Sequence, residues 1–181
     1  MTVARSLLAG GMGIVMLAAG ASAASAAPAN AEDRAAIADL MSRYMFALDS
    51  TDPEAYAATF TPDAALTSGG GTEHGKAEIM KMVQGLKERL NKDATGPGRH
   101  FIGLRHIYFN LTLDVDGNTA KGEAYWQTIR RQDDGKPPII IAMGRYEDEF
   151  VKTGGHWLIA KRAIINDMMT PKPEEAAAKK D

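Results

Sequence analysis

Two periodicities divide the chain. Ile37, Leu40, Met41, Tyr44, Met45 and Leu48 recur at three- and four-residue spacing, one apolar stripe of an amphipathic helix whose first turn carries Glu32 and Asp33 and which Asn30 is placed to cap. Asp52 followed by Pro53 predicts a second, short helix packed through Tyr56 and Phe60 and stopped by Pro62, and Ala64 to Ser68 predicts a short edge strand before the Gly69-Gly70-Gly71 turn. A third helix begins near Lys76 with Ile79, Met80, Val83, Leu86 and Leu90 on one face, and Asn91 to Gly98 breaks it into a loop.

Beyond that loop the period falls to two. Arg99 to Val115, Thr119 to Arg131, Ile139 to Val151 and His156 to Asp167 alternate β-branched or aromatic with polar residues, and the segments between them carry hairpin residues such as Asp116-Gly117-Asn118. Strands this long bend, and Gly103, Gly122 and Gly144 are the expected places for a bulge. Helices first and a meander afterwards predict an α+β domain: a curved antiparallel sheet with three N-terminal helices on one face.

Composition adds limits. The 181 residues are 45% apolar and 24% charged with a formal net charge of −2, which fits one domain and supplies no basic field for nucleic acid. Arg5, the run Leu7 to Ala21 and the A-x-A sites at Ala21-Ser22-Ala23 and Ala24-Ser25-Ala26 predict a cleavable signal peptide, so the mature protein is expected to be periplasmic or secreted, with no stable membrane span after cleavage. The expected organisation is signal peptide 1–26, linker 27–32, folded domain 33–168 and tail 169–181. With no cysteine, neither a disulfide nor a lipid-modified cysteine is available.

Candidate chemistry is sparse. The four histidines, at 74, 100, 106 and 156, form no H-x-H or H-E-x-x-H arrangement, so neither a metal nor another cofactor is implied. His74 and His156 fall in turn and surface positions, and the facing of His106 and Tyr108 on their strand is open. Asp49 lies four residues after Met45, at or beside the buried stripe in the last helical turn, where a carboxylate is electrostatically unwelcome. Two readings stand for it: an Asx-turn residue leading into Thr51-Asp52, or a functional group at a pocket mouth where His100 heads the first long strand. Arg145 likewise serves either that pocket or an ion pair with Glu147 or Asp148. Trp126 is a candidate pocket wall, and the sequon Asn110-Leu111-Thr112 falls inside a predicted strand.

Tyr44, Leu48-Asp49, Phe60-Thr61-Pro62-Asp63-Ala64, Gly75 and Arg99-His100, in this order of elements, resemble the SnoaL-like branch of the nuclear transport factor 2-like superfamily across about Asp33 to Asp167. The resemblance implies a cone-shaped curved sheet closed by the helices around an apolar cavity. Among members it is strongest to lindane dehydrochlorinase, through Arg34-Ala35-Ala36-Ile37 and Asp39-Leu40. It implies Asp49 and His100 as a catalytic dyad and Arg145 as an active-site arginine, while Tyr44 and Gly98 stand where that family has a lysine and a cysteine. Scytalone dehydratase shares the Asp and His but has tyrosines and a second histidine where Leu48, Ser68 and Ala124 stand; ketosteroid isomerase shares Tyr44 and has its base at Ser68. Tyr44, Leu48, Ser68, Ala124, Trp126 and Met143 are thus the expected substrate-binding positions. The implied function is a cofactor-independent lyase or isomerase for a small apolar or aromatic molecule. The alternative is a non-catalytic small-molecule-binding or protein-interaction module of the same fold. A homodimer through the convex face of the sheet is expected in either case.

Overall fold

The computed structural model describes residues 30–93, 103–132 and 135–168. Three helices, α1 (Ala31–Asp49), α2 (Pro53–Ala58) and α3 (Gly75–Asp93), precede and interleave with β1 (Phe60–Ser68) and β2 (Gly71–His74). The remaining strands are β3 (Leu104–Asp116), β4 (Thr119–Arg130), β5 (Ile139–Thr153) and β6 (His156–Asn166). They form one six-stranded sheet in the order β2-β1-β6-β5-β4-β3. The sheet is mixed, not wholly antiparallel as the hairpin pattern predicts. β1 runs parallel to β6, because helix α3 and the meander lie between them in sequence and no hairpin joins them. Helix α3 continues through Asp93, past the predicted break at Asn91.

One face of the sheet carries the helices. Ile37, Leu40, Met41, Tyr44 and Met45 of α1 and Ile79 and Val83 of α3 pack on Ala124, Trp126, Tyr146, Phe150, Trp157 and Ile159. Asp52 caps α2 as expected, accepting the Ala55 N–H at 3.0 Å. Asn30 does not cap α1: it sits in the left-handed region at φ 64°, and its side-chain amide donates to the Val115 carbonyl at 3.4 Å. Together with Arg34 Nη1 on the Leu113 carbonyl at 2.8 Å, it ties the start of α1 to the end of β3.

The bulge in β3 falls on Asn110, not on a glycine. The register jumps between Phe109 and Thr112, three residues opposite the two-residue step from Tyr125 to Glu123, and Asn110 takes φ 55°. Asparagine tolerates that conformation better than other side chains with a Cβ. The extra residue lets His106 and Tyr108 before it, and Leu111, Leu113 and Val115 after it, all turn toward the helices. Gly122 and Gly144 are needed for space instead: a Cβ at 122 would lie 2.9 Å from Leu113 Cδ2, and one at 144 would run into the Ile165 carbonyl. Asn110→Gly is therefore expected to fold normally. Asn110→Val should lose about 1–2 kcal/mol in urea denaturation, the cost of a left-handed conformation on a β-branched residue.

A polar tie fastens the first helix to the last hairpin. Asp33 accepts Lys152 Nζ at 2.7 Å and Trp157 Nε1 at 2.8 Å, and the Lys152 bond above all, with the Trp157 bond beside it, holds the carboxyl below its ordinary range. A depressed folded-state pKa gives stability that is full above the unfolded value and is lost as pH falls through the folded one. Asp33→Asn should lower the melting temperature at neutral pH, and the gap to the native protein should close in acid, below about pH 4. Paired thermal melts from pH 7 to pH 2 check this.

Candidate functional site

The last residue of α1 meets the inward face of β3. Asp49 Oδ1 accepts the His106 ring Nδ1–H at 2.7 Å and the His106 backbone N–H at 3.0 Å, with both side chains largely shielded from water. A carboxylate only accepts, so Nδ1 carries the proton and the tautomer is fixed. β3 is an edge strand whose unpaired N–H groups need partners, and one oxygen satisfies such a donor while orienting the ring. These two bonds offset the unfavourable placement of a carboxylate at a helix C-terminus. They also replace the Asx-turn reading of Asp49. The other ring nitrogen, Nε2, makes no hydrogen bond among the described residues and is left as a base.

The pair opens on a cavity of about 350 Å³ between α1 and β3, lined by Ser42, Met45, Phe46, Asp49, Arg105, His106, Ile107 and Tyr108. The exposed Phe46 side chain stands at this pocket. A larger hollow, about 670 Å³, lies on the other face of the sheet among Lys121, Glu123, Glu147, Glu149 and Lys161. Its charges are exposed and partly paired, as in Lys161–Glu149 at 3.0 Å, and it contains no oriented base. Of these two hollows, the smaller apolar one holds a histidine oriented by a carboxylate.

Other expected site residues go elsewhere. His100 lies outside the described residues. Arg145 is on the outward face of β5, paired with Glu147 at 3.2 Å and Asp167 at 3.6 Å, because Tyr146, Asp148 and Phe150 take the inward positions of that strand. Met143 faces outward with it and is 41% exposed. Ser68 sits at the β1–β2 turn, within 3.4 Å of the Gly70 N–H, and Leu48 is a partly buried packing residue. Tyr44 on α1 and Ala124 and Trp126 on β4 do point between the helices and the sheet, but inside the packed core and not on the cavity lining.

What fills that core is an arginine that inspection of the sequence passed over. Arg162 is fully buried, bonded to Asp148 by Nε and Nη2, each at 2.7 Å, and stacked between the rings of Tyr44 and Tyr146 at 4.1 and 4.3 Å. Burial alone would lower its pKa, but the Asp148 carboxylate outweighs that and raises it. Burial also pushes the hydroxyls of Tyr56 and Tyr146 well above the ordinary phenol range, with Tyr44 adding to it. Tyr56 donates to Tyr44 at 2.7 Å, so the cluster is a neutral hydrogen-bonded wall around one paired cation. Among the described residues no group of His, Asp or Glu is arranged to hold a metal, and no helix is long and apolar enough to cross a membrane.

The profile of the SnoaL-like domain matches residues 29–163, which spans all of these elements except the end of β6. The chain belongs to the SnoaL-like domain family. Solved structures agree with a SnoaL-like cone. A Mycobacterium tuberculosis protein of unknown function is 26% identical with a TM-score of 0.65, over 83% of this chain and 80% of that one. A protein described as a putative scytalone dehydratase from Novosphingobium aromaticivorans is 26% identical with a TM-score of 0.62, over 79% and 89%. LinA, at 24% identity and a TM-score of 0.61 over 78% and 90%, shares the fold. No curated protein matches this chain in sequence.

Proposed function

We propose that this SnoaL-like protein is a cofactor-independent lyase or isomerase in which Asp49 and His106 form the base that removes a proton from carbon. The observation that carries the reading is the double acceptance by Asp49 Oδ1, from the ring and the backbone of the same histidine, at the floor of an apolar cavity. The carboxylate fixes the tautomer and stabilises the imidazolium formed when Nε2 takes the proton. A small apolar or aromatic molecule suits the lining, to which Met45, Phe46 and Tyr108 contribute apolar surface. The solved relative described as a dehydratase lends the reaction class its support. Arg145 has no part in it, since its guanidinium is on the far side of the sheet.

The test is solvent-hydrogen exchange. The purified protein is incubated in D₂O with a panel of carbon acids, some carbonyl compounds and some halogenated cyclohexanes, and carbon-bound deuterium or an elimination product is followed by NMR. His106-dependent exchange or elimination in any member supports the proposal; a wild-type protein that binds members of the panel without exchanging any favours the binding-module reading.

We further propose that the chain is exported and forms a homodimer through the outward face of the sheet. Ile107, Phe109, Tyr125 and Met143 expose 37% to 50% of their surfaces there, and the Phe109 and Tyr125 rings lie 5.8 Å apart as one apolar patch. Native mass spectrometry of protein recovered from the exported fraction should give twice the mass of a chain cleaved between Ala23 and Ala27. An intact Met1 contradicts the first half, and monomer alone at micromolar concentration the second.

A further inference from the structure

Among the described residues that line the Asp49–His106 cavity, Arg105 is the one arginine or lysine. The ladder shows how its side chain comes to be there. The Arg131 N–H donates to the Gly103 carbonyl, so the backbone groups of residues 103 and 105 face β4, and those of 104 and 106 face the free edge of β3. On that edge the His106 N–H meets Asp49, and Arg105 Nη1 donates to the Leu104 carbonyl at 2.7 Å. The guanidinium has therefore turned round the edge of the sheet and stands one step from the carboxylate–histidine pair.

That bond to its own strand is the only one Arg105 makes among the described residues, and most of its N–H donors stay open. Asp49, the one carboxylate on the lining, is bonded to His106 and is not within ion-pair distance of the guanidinium. Arg130 adds to the excess of positive charge. It stands opposite Leu104 on β4, on the helix-facing parity with Thr128, which pairs with His106, and its side chain has no bonded partner among the described residues. Beside these cations, the exposed ring of Phe46 and the thioether of Met45 present apolar surface to the same hollow.

We propose that the molecule taken by this cavity is an apolar carboxylic acid, bound as its anion, and that Arg105 is the residue that selects it. The proposal rests on the reading of the Asp49–His106 cavity as the site. A guanidinium is a planar fork whose paired N–H groups match the two oxygens of one carboxylate, and a cation with no acidic partner has no ion pair to give up when the ligand arrives. The apolar body lies against Phe46 and Met45, and Arg130 strengthens the attraction from farther off. Anchoring the anion at one end fixes which carbon is presented to His106 Nε2. A hollow of about 350 Å³ limits the body to one or two rings.

The probes are 2-naphthoate and its neutral counterpart 2-naphthylmethanol, titrated into the purified protein at neutral pH and followed by NMR. The wild-type protein should bind the naphthoate about tenfold more tightly, and added salt should narrow the gap. Arg105→Ala should remove the preference while leaving 2-naphthylmethanol binding and the melting temperature unchanged. Arg105→Lys should restore only part of it, Arg130→Gln should lose a smaller part, and His106→Ala should keep it. Equal affinity for the two probes, binding of neither, or a preference that survives Arg105→Ala overturns the inference. So does a preference that vanishes only in His106→Ala, which would assign the charge to the imidazolium. Tighter, Arg105-dependent binding of 2-naphthyl phosphate overturns the carboxylate class. An Arg105-dependent preference in a protein that exchanges no carbon acid supports this inference while the base assignment falls, so the two fail separately.

Discussion

Asp148→Ala is expected to cost about 3–5 kcal/mol, because it leaves the Arg162 guanidinium charged and unpaired in a site with no exposed surface. That is a large fraction of the ~5–15 kcal/mol that holds a domain of this size together, so the variant should unfold at markedly lower urea concentration. The pair itself is not what makes the core stable. Removing both charges with residues of similar volume, Asp148→Leu with Arg162→Met, should recover most of the loss, since the apolar pair needs no desolvation of ions. Equilibrium urea denaturation of the three proteins checks the prediction; a single variant within 1 kcal/mol of wild type would mean that water reaches the guanidinium.

The second large effect is on rate. His106→Ala should lower turnover by about 10²–10⁴, the range of a positioned general base. Asp49→Asn should fall in the same range, since an amide neither enforces the tautomer nor stabilises the imidazolium. Its stability loss should be about 1–3 kcal/mol, because the acceptor for the buried histidine donors is changed but not removed. Melting temperature and rate measured on the same preparations separate the two effects.

Much of the architecture was legible because period and punctuation agree. The stripe from Ile37 to Met45 is the buried face of α1, Asp52-Pro53 starts α2, and all four long strands end within two residues of where the alternation stops. Faces were legible only up to the first irregularity. Trp157 and Ile159 point to the helices, and strict alternation would send Lys161 after them. The register instead slips between Glu149 and Phe150, whose partners are Lys161 and Ile159, so Ala160 is the extra residue and Arg162 turns inward. A slip of one residue thus decides which half of Lys161-Arg162 is buried, and no residue type announces it. Asp148 in an otherwise apolar inward row was the available clue.

Arg145 shows the opposite case. Tyr146, Asp148 and Phe150 occupy one parity without interruption, which fixes Arg145 on the other face, and the resemblance had assigned it to the pocket against that parity. The histidine was harder. His100 and His106 are six residues apart, so alternation gives both the same parity, and the bond from His106 to Asp49 is what singles out His106 among the described residues. His106 carried a weak signal of its own: it shares parity with Tyr108 on the strand just before the Asn110 bulge.

One comparison tests the Asp49–His106 base most directly. Deuterium incorporation into a carbon acid that the wild-type protein exchanges should be measured for His106→Ala and His100→Ala side by side, each with its melting curve. The prediction is loss of exchange by at least a hundredfold in His106→Ala at unchanged fold, with the His100→Ala rate retained. A His106→Ala protein that keeps its exchange rate, or a rate that falls only with His100, would contradict it.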